Sequence, residues 1–229
     1  MKPPTGFSLA GWQLARRRKK ALSATRHAPL RTVLETSLPA LSNPFRDVPF
    51  LCLDFETTGL DPARDHILSI GSVPIVGGTV QLGAAHYWIV DFAGTLDEET
   101  LAIHALTHDD LADGIPLAQA IDGLLGQMPG VVMVAHQASI ERQFLSAATQ
   151  ALYGAACETL WVCTLTLERQ RLKHTGEHLS VRLSQSRERY NLPRYKAHHA
   201  LMDAFAGGEL LLAQAAHIGG DRCKLAALV

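Results

Sequence analysis

The sequence of 229 residues has little of what marks secreted or membrane proteins. Its four cysteines form no CxxC pair, so we expect neither a disulfide framework nor a cysteine-rich zinc site. Every apolar run falls short of the roughly 20 residues that span a bilayer, so we expect no membrane association. The first 20 residues carry a basic cluster and no apolar signal-peptide core, which makes the cytoplasm the expected location.

The net charge of -1 hides an uneven distribution along the chain. Residues 1–50 hold nine Lys and Arg against two Asp and Glu, whereas the other 179 hold 12 against 20. We therefore divide the chain into a basic N-terminal extension with a linker, residues 1–49, and one domain, residues 50–229. The basic run at residues 16–20 could grip phosphates, pack on the acidic body or stay solvated. Trp12 and Leu22 beside this run indicate a short amphipathic helix.

The apolar pattern of the domain predicts an α/β fold with a mixed sheet. Segments 50–56, 67–76 and 79–90 read as three consecutive antiparallel strands, because Gly77 and Gly78 form a hairpin signal between the last two. A fully apolar strand at 129–136 follows, and residues 160–172 read as a passage from a strand into a helix. Further helices are predicted around 97–111, at 116–128, from about Ser139, and at 178–192 and 200–218. Strands followed by alternating strands and helices indicate helices packed on a mixed sheet.

Two carboxylates two residues apart, Asp54 and Glu56, stand in the apolar segment LCLDFETTGL. Side chains alternate along a strand, so both leave the same face. Two like charges beside a hydrophobic strand are costly unless a cation neutralises them, and oxygen ligands favour Mg²⁺ or Mn²⁺. The alternative is an edge strand whose carboxylates face water.

Two further acidic residues stand early in predicted helices. Glu141 follows the apolar strand, and Asp203 lies in the first turn of the last helix, after His198 and His199. An acidic residue in a first helical turn often only complements the helix dipole, and a histidine pair before a helix is often an ordinary loop. Helical spacing alone favours His199 as the neighbour of Asp203, since His198 is rotated away unless it precedes the helix.

Taken together, these segments resemble the DEDDh family of 3'-to-5' exonucleases over residues 50 to about 217. The first motif is DFETTGLDPARDHILSIG, and the third is HHALMDA, which has the family's spacing of His198 and Asp203. The resemblance implies an RNase H-like fold. It also places a set of residues near the terminal nucleotide: Thr57, Thr58, Gly59, Leu60, Ile103 and His104.

The resemblance further implies hydrolysis assisted by two Mg²⁺ or Mn²⁺ ions. Asp54 would bridge both ions, Glu56 and Asp203 would complete the site of the nucleophile's ion, and Glu141 would act mainly through water on the second. His198 would be the general base. The expected substrates are 3' ends of single-stranded DNA or RNA, with DNA favoured. No base-reading module is evident, so we expect no sequence preference. Aromatic residues that could stack on bases are only 6% of the chain, which favours single-stranded ends.

The second motif departs from the family form, His-Asn-Ala-x-Phe-Asp. Here Gln137 replaces Asn, Ile140 replaces Phe and Glu141 replaces Asp. The longer Glu141 changes the reach of the carboxylate by roughly a bond length, which would lower activity or favour Mn²⁺ because Mg²⁺ demands near-ideal geometry. Two alternatives stay open: an RNA-directed member of the family, and a catalytically weak polymerase-accessory or nucleic-acid-binding protein. Nothing in the sequence indicates association with a polymerase.

Overall fold

A computed structural model describes residues 9–94, 96, 101, 104, 106–176 and 179–229. The described residues form a six-stranded sheet and eight α-helices. The strands are β1 Phe50–Thr57, β2 Ile67–Val76, β3 Thr79–Val80, β4 His86–Ile89, β5 Val132–Ala135 and β6 Trp161–Cys163. The helices are α1 Leu9–Ala24, α2 Ala28–Glu35, α3 His108–Ala112, α4 Leu117–Gln127, α5 Ser139–Tyr153, α6 Thr164–Thr175, α7 Leu183–Glu188 and α8 Ala200–Ile218.

The sheet is mixed, as the sequence predicts. Its order is β3-β2-β1-β5-β6, and β4 also pairs with β2. The pairs of β2 with β1, β3 and β4 are antiparallel, whereas β1, β5 and β6 are mutually parallel. Gly77 and Gly78 both have positive φ, as a tight hairpin between β2 and β3 requires. Because β1, β5 and β6 are parallel, their carboxyl ends lie at the same edge of the sheet.

The predicted third strand, 79–90, is wrong as one continuous element. It divides into β3 and β4 around a 3₁₀ turn at Leu82–Ala84. The cause lies in β2, where the carbonyl of Pro74 accepts from the backbone N–H of Gln81. In an antiparallel pair, the N–H and C=O groups of one residue point to the same neighbouring strand. Proline has no N–H group, so Pro74 accepts a hydrogen bond from Gln81 but cannot donate one back. The ladder resumes where Ser72 pairs with His86.

Strand β1 separates two hydrophobic cores through the alternation of its side chains. Leu51, Leu53 and Phe55 face the core shared with α2, α4 and α5. Phe50 and Cys52 face the core shared with α8 and the C-terminal residues. By the same alternation, the acidic residues that follow Cys52 at positions 54 and 56 leave β1 on the side of α8.

The N-terminal extension packs on the body of the protein. Leu30 and Val33 of α2 lie in the same core as β1 and α4, and α1 contributes Ala21. Arg18, in the middle of the basic run, is buried and donates to the carbonyls of Val33, Leu34 and Thr36 as well as to Glu158. One residue of the basic run is therefore a structural cap for the end of α2. The division of the chain into domains at residue 50 stays a prediction.

One predicted helix is corrected, and another, around 97–111, is described mainly at its end, where α3 covers His108–Ala112. The helix predicted at 178–192 is wrong in length, since α7 covers only Leu183–Glu188. The carbonyls of Ser180 and Val181 accept tertiary hydrogen bonds from Arg189 and His136, which hold the preceding residues out of the helix. Most of the segment 97–105 lies outside the described residues. Among the described helices, none is both long and apolar enough to cross a membrane.

Candidate active site

Three carboxylates meet at the carboxyl end of β1. Asp54 and Glu56 leave the same face of the strand, and Asp203 reaches them from the first turn of α8. One oxygen atom of each lies within 4.8 Å of the others. The spacing of two residues along a strand thus produced the juxtaposition that the sequence predicts.

The approach of Asp203 depends on a glycine in β2. Gly71 is the cross-strand partner of Asp54, and a Cβ built on Gly71 would lie only 2.2 Å from backbone atoms of Ala200 and Leu201. The first turn of α8 therefore rests directly on the backbone of β2, with no side chain between them. This close approach brings Asp203 to the level of the β1 carboxylates.

Glu141 adds a fourth carboxylate from the first turn of α5. Its side chain is 4% exposed and lines the same cleft, although it is not one of the three closest carboxylates. Burial raises the pKa of Glu141 to about 8. Burial, followed by the charges of Glu141, Glu56 and Asp203, raises the pKa of Asp54 well above its ordinary value. Four carboxyl groups thus share a site in which their ionised forms repel one another.

The donor set fits a hard divalent cation. Oε1 of Glu56 and Oε2 of Glu141 are buried and have no hydrogen-bond partner. A buried carboxylate oxygen without a partner is costly, and a cation removes this cost together with the mutual repulsion. Because every candidate ligand is a carboxylate oxygen, the set favours Mg²⁺ or Mn²⁺ over softer metals.

The side chains of the two histidines before α8 have different surroundings. His198 is exposed, lines the cleft and has a φ of 62°, and its backbone N–H donates to Oδ2 of Asp203 at 2.8 Å. The ring of His199 stacks on Tyr87 with ring centroids 4.6 Å apart. His198 precedes the helix, which is the condition under which it can serve the same cleft as Asp203.

His104 is a direct neighbour of the carboxylates. Its Nδ1 lies 2.5 Å from Oε2 of Glu56, and its ring lines the cleft. The sequence singles out His104 as a residue near the terminal nucleotide, and the structure also places it on Glu56. Ile103, named with it, lies outside the described residues.

The loop after β1 forms the other wall of the cleft. The hydroxyl of Thr57 donates to the carbonyl of Gly59 at 2.7 Å, and Thr58 bonds to Asp65 across the loop. A Cβ on Gly59 would meet the Asp65 carboxylate at 2.5 Å, so the loop closes around a residue without a side chain. Leu60 projects from it and is 74% exposed. An apolar side chain held out by an ordered loop suits a position near the terminal nucleotide, which the resemblance implies for Leu60.

These residues enclose one cleft of about 310 Å³. Its lining contains the predicted Asp54, Glu56, Glu141, Asp203 and His198, together with Thr57, Gly59, Leu60 and His104. Thr58 is not among the lining residues, because its hydroxyl is used within the loop. The catalytic, metal-binding and substrate-binding roles of these residues stay predictions.

Sequence reasoning assigned no role to His136, which also lines the cleft. Its Nε2 donates to the carbonyl of Val181 at 2.8 Å, and its Nδ1 lies 2.9 Å from the hydroxyl of Thr164. Burial lowers the pKa of His136 to about 4, so the ring is neutral and fully engaged in tertiary bonds. Its position in the second motif was the available signal, but its partners are 28 and 45 residues away in sequence.

A buried ionic network behind the cleft was also missed. Glu168 is fully buried and accepts from Arg171, Arg189, Tyr190 and Gln214. Although burial opposes its ionised form, these hydrogen bonds lower the pKa of Glu168 below its ordinary value. The amide of Gln214 also donates to the carbonyl of Thr164, so the network continues to the hydroxyl beside His136.

Comparison with known proteins gives a consistent family. Residues 51–211 match the family model described as Exonuclease. The PolC-type DNA polymerase III of Thermotoga maritima is 30% identical over 168 residues, which are 73% of this chain and 12% of that protein. The epsilon subunit of DNA polymerase III from Salmonella typhimurium is 26% identical over 170 residues, which are 71% of this chain and 70% of that protein. The chain thus spans only about an eighth of the length of the PolC-type relatives it matches.

Solved structures share the fold at lower identity. E. coli Exonuclease I in complex with a dT13 oligonucleotide superposes with a TM-score of 0.60 at 15% identity, covering 73% of this chain and 40% of that chain. Exonuclease X in complex with 5' overhanging duplex DNA gives a TM-score of 0.59 at 21% identity, covering 79% of this chain and 99% of that chain. These similarities confirm the RNase H-like fold.

Proposed function

Since the chain belongs to the DnaQ-like exonuclease family, we propose that it hydrolyses phosphodiester bonds from the 3' ends of single-stranded nucleic acid, with DNA favoured. The observation that carries this proposal is the cluster of Asp54, Glu56 and Asp203 beside Glu141 and the exposed His198, in one open cleft. Such a cleft admits a strand end, and its carboxylates suit a metal-assisted hydrolysis.

The substrate class is supported by the solved structures of the family. Exonuclease I was captured with an oligonucleotide, which supports a single strand, and Exonuclease X with a 5' overhanging duplex DNA, which supports only DNA as the nucleic acid. In this chain the exposed Leu60 could separate the terminal base from its neighbour, and the ordered loop at Thr57–Gly59 could orient the terminal sugar. Neither contact reads a base, so the proposal is release of single nucleotides without sequence preference.

Asp54, Glu56, Asp203 and Glu141 would hold the metal ions. When bound, two Mg²⁺ or Mn²⁺ ions would lower the pKa of the attacking water and stabilise the leaving 3'-oxygen. Asp54 is best placed to be shared, because it lies among the other carboxylates and its pKa responds to all three of them. The buried oxygens of Glu56 and Glu141 gain their missing partners.

His198 would take the proton from the attacking water. Its backbone is fixed by the bond from its N–H to Asp203, while its side chain is exposed at the mouth of the cleft. His136 is unsuited to this role because both of its ring nitrogens have tertiary partners. His199 is unsuited as well, because its ring packs on Tyr87.

The test is digestion of 5'-labelled single-stranded DNA and RNA of one sequence with Mg²⁺, Mn²⁺ or EDTA. We expect a ladder that shortens from the 3' end, requires metal and is abolished in Asp54→Asn. Asp221→Asn, which makes the same change on an exposed surface, is the matched control. A preference for RNA would support the RNA-directed alternative.

A catalytically weak polymerase-accessory or nucleic-acid-binding protein is the second candidate. It is favoured by the second motif, in which Glu141 stands where the family has Asp. Failure to cleave either strand under any metal, by a folded protein that still binds the strand, would support this candidate over the exonuclease.

A further inference from the structure

The extension outside the family match carries an exposed basic face. Four residues of the basic run in α1 are exposed, while the fifth, Arg18, is buried as a cap for α2. The exposed four are Arg16, Arg17, Lys19 and Lys20. Since the buried cation accounts for the structural role of this run, the exposed cations are available for a different role.

Three acidic residues near α1 are already paired, one of them with Arg17 of the face itself. Glu158 pairs with Arg17 at 3.2 Å, Glu35 pairs with Arg31, and Asp122 contacts His27. Lys19 and Lys20 therefore add positive charge to a surface whose acidic groups are largely compensated. Surface ion pairs of this kind contribute little to stability, so the face is not needed for folding.

Helix α5 runs from the cleft to the C-terminal end of α1, the helix that carries this face. Its first turn carries Glu141 into the cleft, and its last residue, Tyr153, accepts a hydrogen bond from the hydroxyl of Thr25 at the end of α1. The 15 residues of α5 span about 22 Å. Glu141 is the one acidic residue in α5 and is buried, so the exposed side chains along the helix are neutral or basic: Ser139, Arg142, Gln143, Gln150, Ala151 and Leu152.

We propose that a strand with its 3' end in the cleft follows α5 and that its phosphates bind the exposed basic face of α1. This inference rests on the proposed function, because the cleft supplies the end of the strand. A path of about 22 Å needs a strand of several nucleotides, within the 4–16 nucleotides of typical single-strand sites. The face then contacts long substrates and leaves the shortest ones untouched.

Phosphate contacts of this kind have a salt signature. For single strands, the slope of log affinity against log salt changes by about 0.7 for each phosphate neutralised. Loss of three cations from α1 should therefore reduce the slope by about 2 for a long strand. A short oligonucleotide held in the cleft alone should keep its slope.

The test is binding of 5'-labelled dT4 and dT20, each with a non-hydrolysable linkage at its 3' end, at one low Mg²⁺ concentration. Fluorescence anisotropy measures the binding at several salt concentrations. The variant is Arg16→Gln with Lys19→Gln and Lys20→Gln. The control removes the same charge on the α8 side of the sheet through Arg46→Gln, Arg222→Gln and Lys224→Gln. We expect the affinity of the α1 variant for dT20, relative to the wild type, to fall by roughly 100-fold for each tenfold decrease in salt, with unchanged affinity for dT4.

Three outcomes would overturn the inference. They are wild-type affinity of the α1 variant for dT20, equal losses for dT4 and dT20, and an equal loss in the control variant. The first would favour an acidic protein as the partner of this face. The measurement needs no catalysis, so strand binding through α1 without any cleavage would leave the basic face as a strand-binding surface while the proposed exonuclease activity fails.

Discussion

Gly71 lies opposite Asp54 in the β1–β2 ladder. The backbone of Ala200 and Leu201 packs so closely on Gly71 that a Cβ atom there would clash with it. We predict that Gly71→Ala displaces the first turn of α8 and withdraws Asp203 from the other carboxylates. Overpacking of this kind costs about 1–3 kcal/mol, so the free energy of unfolding should fall by at least that amount. Metal-dependent cleavage should fall more steeply than the folded fraction.

Gly207→Ala is the control for this prediction. Gly207 lies in the same helix, and a Cβ there would meet nothing within 4 Å. Replacement of a helical glycine by alanine should raise stability by about 0.5–1 kcal/mol. Chemical unfolding and the cleavage rate of both variants check the pair. Full activity in Gly71→Ala would show that Asp203 does not depend on this contact.

How much of this site the sequence predicts depends on how far apart in sequence the contacting residues are. Asp54 and Glu56 share a face because side chains alternate along a strand, which is a local property, and the structure has this alternation in β1. The contribution of Gly71 is a contact between two backbones 130 residues apart in sequence, and a glycine within a strand is equally typical of a bulge or a bend. The site was therefore predictable in its residues, but the packing that assembles it was not.

The errors in the fold have the same origin. Pro74 is visible in the sequence, yet the neighbour that loses a hydrogen bond depends on the register of β2. Arg18 belongs to a run whose sequence leaves packing and solvation equally open, and only its contacts with the end of α2 distinguish it. Local patterns predicted the elements, whereas tertiary hydrogen bonds decided where they break.

The second prediction concerns Gln137, which has a φ of 72°. This left-handed region costs a non-glycine residue about 1–2 kcal/mol, and asparagine tolerates it better than glutamine. The family has Asn at this position. Gln137→Asn should therefore raise the free energy of unfolding by a few tenths to about 1 kcal/mol, and Gln137→Gly should also be stabilising.

Thermal and chemical unfolding check this prediction, with Gln143→Asn as the control in α5, where the backbone is helical. Asparagine has a lower helix propensity than glutamine, so the control should be neutral or slightly destabilising. A loss of stability in Gln137→Asn would mean that the glutamine side chain, and not the backbone, decides the preference.

The third prediction concerns repulsion among the carboxylates. In EDTA, Asp54→Asn should raise the melting temperature, because a buried carboxyl whose pKa is raised on folding costs stability at neutral pH and the amide does not. Mg²⁺ should stabilise the wild type by about 2.7 kcal/mol at 100 times its Kd and should have little effect on the variant. Thermal unfolding with and without the metal measures both. An equal Mg²⁺ effect in wild type and Asp54→Asn would place the metal elsewhere.

The fourth prediction concerns the length of the Glu141 side chain. Its buried Oε2 has no partner, and the residue lies outside the group of three closest carboxylates. Glu141→Asp restores the family's side chain and should raise the rate with Mg²⁺ relative to the rate with Mn²⁺, since Mg²⁺ is the stricter in geometry. Cleavage rates with each metal give the ratio. Glu141→Gln is the control, and it should lower the rate with both. An unchanged ratio in Glu141→Asp would contradict the argument from reach.

The fifth prediction is a pH dependence of stability. Burial lowers the pKa of His136 from 6.5 to about 4, so the unfolded chain takes up a proton at a higher pH than the folded chain. The contribution of neutral His136 is therefore complete above pH 6.5 and is lost as the pH falls towards 4, by up to about 3 kcal/mol. Between pH 7 and pH 5, His136→Gln should lose less stability than the wild type.

Chemical unfolding at pH 7 and pH 5 measures the loss of stability in each protein. Groups that titrate alike in the wild type and the variant contribute equally to both losses, so their contributions cancel in the difference. His217→Gln, on an exposed part of α8, is the control and should lose as much as the wild type. Because the ring of His136 is hydrogen-bonded to the carbonyl of Val181, protonation should also release the segment before α7. Equal losses in the wild type and His136→Gln would assign the pH dependence to other groups and would leave His136 as a packing residue without a titration of its own.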